Sequence, residues 1–511
     1  MSLHQVARFA DVREDRGLEV KINETTLLLL RAGDQVRAFQ GKCPHAGAPL
    51  AKGAVCHGRL ICPWHKAAFR AEDGALCEPP ALDSLERYHV EVRDGDIWVD
   101  DQPLPAEKIP PADDPRTFVI IGAGAAGTAC ATALRDKGFG GRIQMIDREN
   151  DAGYDRTVLS KYVLAGDMTV EETPALRDET YFTQQRIERL HGEVMELDST
   201  SRQIRLADGQ TLGYDAALIA TGGTPKTPDL PGIDLPQVFV LRSMEHARHI
   251  LDSARSGQRA VIIGDSFIAM EVASSLRKRE LSVTVLARHP VPFAAQLGDS
   301  VGQAILARHR ANGVVYHSDG EAARIEGAGK VEAVVLDNGQ RFAADLVIVG
   351  IGVRPATDPF ADLPREEDQS LTVDAGMRVT DGVWAVGDIA TFPLSGQPRR
   401  IEHWRLAQQQ ARIAAANMLG GDEHYLDVPF FWTYHFGKRY DYLGHAEQWD
   451  EVQFKGTPEH PPFIGLLGKD GLVAAAVACD EGRAMAALAQ RMKQPLPVDE
   501  AWRLIRDFSS A

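Results

Sequence analysis

The sequence predicts a multidomain protein: a small all-β domain, then two α/β units of the doubly wound kind, then an α+β domain at the C-terminus. Three observations predict it. The chain of 511 residues is too long for a single core. Its first hundred residues hold short apolar runs broken by turn residues, with no helical period. From Thr117 onward strands and helices alternate, and one strand–turn–helix pattern occurs twice.

Composition narrows the class. The chain is 44% hydrophobic and 25% charged, as an ordinary globular protein is. A net charge of -16 argues against nucleic acid or an anionic membrane as the main partner and would suit a basic protein. The segment Met1-Ser-Leu-His-Gln-Val-Ala-Arg8 lacks the layout of a signal peptide. No apolar run approaches the roughly 18 residues of a membrane helix. Six cysteines suit a reducing compartment with a metal or redox site, not a disulfide scaffold. The expectation is a cytoplasmic protein that does not enter a membrane.

In chain order, residues 1–102 form the all-β domain, with strands expected at 27–30, 36–39, 59–61, 88–92 and 96–99. Residues 103–115 read as an extended, proline-rich linker. The run Thr117-Phe-Val-Ile-Ile is a buried strand, and Gly122-Ala-Gly124-Ala-Ala126-Gly127 follows it before a helix. This G-x-G-x-x-G order is that of a Rossmann-like dinucleotide site: a tight turn at Gly122, close pyrophosphate approach at Gly124, close helix packing at Gly127. The next strand ends on Asp147, placed to bond a ribose hydroxyl.

The pattern returns 142 residues on, at Gly264-Asp-Ser266-Phe-Ile268-Ala269, so a second dinucleotide unit is expected. The first unit spans 116–248 and resumes at 372–425, the second spans 249–371, and the C-terminal domain spans 426–511. That last domain opens on aromatic strands and closes on an Ala-rich helix near 481–493.

Two short motifs stand in the β domain: Cys43-Pro-His45 and, after sixteen residues, Cys62-Pro-Trp-His65. Thiolate and imidazole suit zinc or an iron–sulfur centre, but zinc sites with these ligands more often group Cys with Cys and His with His. Alternation over two loops closely resembles Rieske ferredoxins, and the likeness covers the whole first domain. It implies a 2Fe-2S cluster with Cys43 and Cys62 on one iron and His45 and His65 on the other. The loop disulfide of high-potential Rieske proteins is replaced by Ala48 and Trp64, and their Ser and Tyr hydroxyls by Ala67 and Phe69. The expected potential is near the low end of the range, roughly -150 mV, raised somewhat by the charge of Lys66. His45 and His65 are expected at an exposed tip, the docking face for an acceptor. Cys56, Cys77, Cys130 and Cys479 read as packed thiols.

Three further stretches assign FAD to the first loop. Tyr154-Asp-Arg156-Thr-Val-Leu-Ser160-Lys161, Ala220-Thr221-Gly222 and Gly387-Asp388 resemble segments of NAD(P)H:ferredoxin reductases of the apoptosis-inducing-factor-like group. The resemblance runs from Thr117 to the C-terminus. It implies Lys161 and Arg156 by the flavin, Val194 by adenine, Arg242 by pyrophosphate, Asp388 at the ribityl chain and Trp404 against the ring. Gly264, Ser266, Ile268, Glu271, Arg288 and Gly352 would serve NAD(P)H, with Glu271 at the nicotinamide amide. Lys161 and Glu271 are the candidate catalytic residues. Ser266 stands where glycine is usual and crowds the phosphate, and Arg288 inclines the site toward a 2′-phosphate.

Thiol-disulfide reductases of similar architecture carry a cysteine pair after the first helix; no cysteine lies between Gly138 and Lys161 here, so the resemblance implies that electrons leave the flavin by a route other than a protein thiol. The expected function is electron transfer from NAD(P)H through FAD to the chain's own cluster, then to an acceptor protein such as an oxygenase component. A flavin takes electrons in pairs and releases them singly, which the cluster requires. The resemblance also permits a slow redox-sensing protein, or electron flow in the reverse direction. A homodimer is among the expected assemblies.

Overall fold

The computed structural model describes residues 2–106 and 109–509; Glu107 and Lys108 of the linker lie outside the described residues. The N-terminal domain is two antiparallel sheets. One has six strands in the order Leu3–Arg8, Asp96–Pro103, Arg87–Arg93, Gln35–Gln40, Thr25–Ala32, Leu18–Ile22. The other has four short strands, Ala54–Cys56, Arg59–Ile61, Ala68–Arg70 and Leu76–Glu78. The four consecutive leucines of Thr25–Ala32 are all buried because the strand has a core on each face. Leu28 and Leu30 pack with Phe39, Phe69 and the two motif cysteines, and Leu27 and Leu29 with Val36, Tyr88 and Ile97.

The linker is less free than its prolines imply. Ala112 pairs with Phe139, and its amide bonds Gly138 O at 2.9 Å. The close approach is possible because a Cβ on Gly140 would meet Ala112 O at 1.9 Å.

The first α/β sheet runs Ile187–His191, Arg142–Asp147, Thr117–Ile121, Ala216–Ile219, Val383–Ala385, Arg378–Thr380, parallel except for its last pair. The second, wholly parallel, runs Val238–Val240, Leu346–Val349, Arg259–Ile263, Ser282–Leu286, Val315–His317. Val238–Val240 joins the second sheet although it precedes residue 249, where the second unit was expected to begin. Three residues carry too little pattern to declare a partner, and the pairing with Leu346–Val349 decides it.

The C-terminal part is a five-stranded antiparallel sheet with two helices, Gly482–Arg491 and Val498–Phe508. The second helix was not expected. It buries Val498, Ala501 and Ile505, a helical spacing that follows Pro497 and carries acids in its first turn. Ala486 and Ala487 of the first helix close on Ala54, Ile61 and Ala68 of the N-terminal domain, forming one small apolar junction. No helix among the described residues is long and apolar enough to cross a membrane.

Candidate functional site

The first glycine loop folds as its spacing requires. Gly122 has φ +105°, and a Cβ there would meet Ala220 O at 2.4 Å. A Cβ on Gly127 would meet Gly122 O at 1.8 Å, so this residue lets helix and loop touch and does not itself line the site. Gly124 precedes the helix Ala125–Asp136, which has no side-chain cap, so its first amides are left for a ligand.

These elements open on a cavity of ≈ 740 Å³. Gly122, Gly124, Ala126, Asp147, Arg156, Lys161, Val194, Ala220, Thr221, Gly222, Arg242, Gly387, Asp388 and Trp404 all border it, as do Ile268 and Glu271 of the second unit. Burial raises the Asp147 carboxyl above its usual range. Arg242 reaches Asp388 at 2.7 Å. The Nε1 of Trp404 is buried without a partner, at the start of a second helix with no side-chain cap, Trp404–Met418. Two uncapped helix N-termini, an orphaned indole donor and a loop that admits no Cβ suit a large anionic ligand with ring acceptors. The residues fit FAD.

Lys161 and Glu271 meet at 3.0 Å, 7% and 4% exposed. Glu271 also accepts from Ser160 at 2.5 Å and from Thr433 at 2.7 Å, and Lys161 donates to Thr157 O at 2.9 Å. A buried charge pair needs these extra bonds to offset its lost hydration. The remaining nicotinamide candidates lie apart. Gly264 repeats the tight turn, φ +108°, with Gly350 O 2.5 Å from a would-be Cβ. Ser266 caps the helix Phe267–Lys278, its Oγ 3.2 Å from the amide of Ala269. It therefore occupies an amide that Gly124 leaves free in the first unit. Gly352 has φ +99° with open space around it, and Arg288 is 79% exposed, 4.0 Å from Glu321.

The motif loops close alike: the amide of Cys43 bonds Ala48 O and that of Cys62 bonds Ala67 O, both at 2.8 Å. Position five of the first loop is Gly47, φ +73°, and of the second Lys66, φ +63°. A non-glycine residue there costs on the order of 1 kcal/mol. The Nδ1 atoms of His45 and His65 face each other at 3.0 Å, and the thiols of Cys43 and Cys62 are buried in one apolar cluster. Burial opposes ionisation of Cys62, but Cys43 and the amides of His65 and Trp64 bring it to about 7. Among the described residues no three His, Cys, Asp or Glu side chains converge on one point. One pair of thiols and one pair of imidazoles fit a two-iron cluster with two ligands for each iron. Ala67 and Phe69 lie in the apolar cluster with both cysteines and offer no hydroxyl.

Two expectations are corrected. His45 and His65 are not at an exposed tip. His45 is 14% exposed and lies 4.0 Å from Asp155, while the His65 ring is 5.2 Å from that of Trp432. The reductase half covers the tip, and both histidines border the same cavity as Gly122 and Trp404. Nor does Lys66 bring a free charge. It is fully buried, bonds Pro63 O at 2.7 Å and pairs with Asp441 of the C-terminal sheet at 2.8 Å. Beside it Glu78 pairs with Arg405 and with Lys493. Burial works against ionised Glu78, but these two cations outweigh it and hold the carboxyl at about 2.

Sequence assigns no role to Trp432 or Thr433, and Asp155 stands in it only as part of the Tyr154–Lys161 stretch. Trp432, whose ring carries the Lys161 ammonium 4.6 Å from its centre, was visible only as one more aromatic in a strand.

Fold, cavity and paired loops together define a class: an FAD-dependent, NAD(P)H-using oxidoreductase with a Rieske 2Fe-2S domain. Comparison with known proteins agrees. Residues 2–89 match the Rieske [2Fe-2S] domain, and residues 116–411 match pyridine nucleotide-disulphide oxidoreductases. The chain belongs to the pyridine nucleotide-disulphide oxidoreductase family. It is 34% identical over 493 residues to human apoptosis-inducing factor 3, covering 92% of this chain and 81% of that one. It is 36% identical over 371 residues to the ferredoxin–NAD(+) reductase component of the biphenyl dioxygenase system of Paraburkholderia xenovorans (strain LB400), covering 72% and 90%. The covalent putidaredoxin reductase–putidaredoxin complex superposes with a TM-score of 0.72 at 28% identity, covering 76% of this chain and 95% of that one.

Proposed function

We propose that NAD(P)H bound at the second unit gives its hydride to FAD in the first. The electrons then pass to the chain's own cluster, held by Cys43, His45, Cys62 and His65, and on to an external acceptor. The observation that carries this reading is that His45 and His65 border the same cavity as the first glycine loop. Bound FAD supplies the exchange between a hydride pair and single electrons. In this reading the first helix and Arg242 hold the pyrophosphate, Asp147 the adenosine ribose, Val194 the adenine and Asp388 the ribityl chain. Trp404 bounds the ring. Lys161, fixed by Glu271 and Thr157 O, places a positive charge where negative charge gathers on reduction. Trp432 lies between Lys161 and His65, its ring 4.6 Å from the Lys161 ammonium and 5.2 Å from the His65 ring.

Stopped-flow mixing with NADH and NADPH tests this, with flavin and cluster absorbance read separately. Flavin bleaching followed by cluster bleaching is expected. A cluster that stays oxidised after full flavin reduction would overturn the route.

A further inference from the structure

With the histidine face covered, an oxidant needs another way to the cluster. A second cleft, ≈ 1140 Å³, runs between the N-terminal domain and the reductase half and also touches His45 and His65. Its mouth carries Trp64, 41% exposed.

The charges in this cleft are unequal in their freedom. Four of its five acids are neutralised from outside, among them Asp441 by Lys66 at 2.8 Å, Asp480 by Lys438 at 2.8 Å and Asp83 by Arg177 at 2.7 Å, while Asp155 is held by Thr157 and lies 4.0 Å from His45. Glu481 has Lys455 at 3.6 Å. Of its cations, Arg439 is bonded to Asp441 at 2.7 Å, and the other three are held loosely. Lys52 is exposed on the short helical turn Leu50–Lys52, next to the first cluster loop. Arg16 approaches Asp15 only at 3.8 Å, and that carboxylate is already held by Arg13 through two bonds of 2.8 Å. Arg483 bonds a single carbonyl, Asp15 O, at 3.2 Å, and its buried Nε has no partner. A concave site with uncommitted guanidinium groups focuses positive potential within a chain of net charge -16.

We propose that this cleft is the electron exit, and that it takes a small anionic one-electron oxidant while the cluster domain stays docked. The inference rests on the reading of the preceding subsection and names the acceptor class. The balance is one NAD(P)H and two oxidant molecules giving NAD(P)+, one proton and two oxidant molecules each reduced by one electron. The junction favours a docked domain: Lys66–Asp441, Glu78–Arg405 and the apolar contact of Ile61 with Ala486 and Ala487 hold it.

The test uses the holoprotein, its cluster reduced with dithionite so that exit is examined whether or not NAD(P)H feeds it. Ferricyanide is the oxidant, and hexacyanocobaltate(III), which has the same shape and charge but is redox-inert, is the binding probe. Saturable reoxidation is expected, competed by hexacyanocobaltate, with calorimetric binding of that anion weakened at least tenfold in Lys52→Glu and Arg483→Gln. The cation hexaamminecobalt(III) should show no loss in these variants. Reoxidation linear in ferricyanide, or anion binding unchanged in both variants, would overturn the proposal. Unaltered cluster spectra keep the variants comparable. If NAD(P)H fails to bleach the cluster while this exit behaves as stated, the intramolecular route is at fault and not the cleft.

Discussion

The two glycine loops share a backbone and differ in what they leave open. At both, a Cβ on the positive-φ glycine would stand 2.4–2.5 Å from a carbonyl oxygen. At the first, Gly124 leaves the helix uncapped, and the cavity beyond is roofed by Trp404, Trp432 and the two histidines. At the second, Ser266 occupies a helix amide, and Gly264, Ser266, Arg288 and Gly352 lie outside that cavity. The first loop leaves helix amides facing a wide cavity, and the second has one amide bonded to its own serine. A serine cap stabilises an unliganded helix by only a few tenths of a kcal/mol over glycine.

The largest test of that contrast is Gly127→Ala. Its Cβ would stand 1.8 Å from Gly122 O, where only backbone movement makes room. Loss of FAD and about 5 kcal/mol of stability are expected, checked by absorbance and denaturant melts. Gly264→Ala should spare FAD and abolish NAD(P)H reduction, so equal damage to both cofactors would erase the distinction between the loops. Next comes Glu271→Gln, which leaves the buried Lys161 ammonium without its counter-charge. A loss of about 3 kcal/mol is expected in chemical denaturation, with hydride transfer slowed roughly a hundredfold. Ser266→Gly frees the Ala269 amide and costs only a few tenths of a kcal/mol. Titration should show NAD(P)H bound more tightly, by no more than roughly fivefold. Smallest is Arg288→Ala: the side chain is 79% exposed, so NADPH should lose only a few-fold in KM against NADH.

Much of this was legible in sequence because it depends on local spacing. G-x-G-x-x-G fixes turn, cradle and packing within six residues, and Cys-x-His with Cys-x-x-His fixes two ligand pairs on two loops. What was not legible depends on which distant segments meet. Lys66 reads as a cation beside the cluster until Asp441, 375 positions away, neutralises it. His45 and His65 read as an exposed tip until the reductase half covers them. Trp432 reads as core until it falls between Lys161 and His65. Val238–Val240 is too short to state its sheet. Each of these is a long-range contact, set by domain packing and not by pattern.

In the proposed function the docked domain receives its electrons from the flavin of the same chain. The most direct measurement is the rate of cluster reduction by NAD(P)H across a hundredfold dilution of the protein, at saturating nucleotide. A route within one chain predicts a first-order rate constant that does not change with dilution. A rate that falls in proportion to protein concentration would mean that the cluster is fed by another molecule, and would contradict the account.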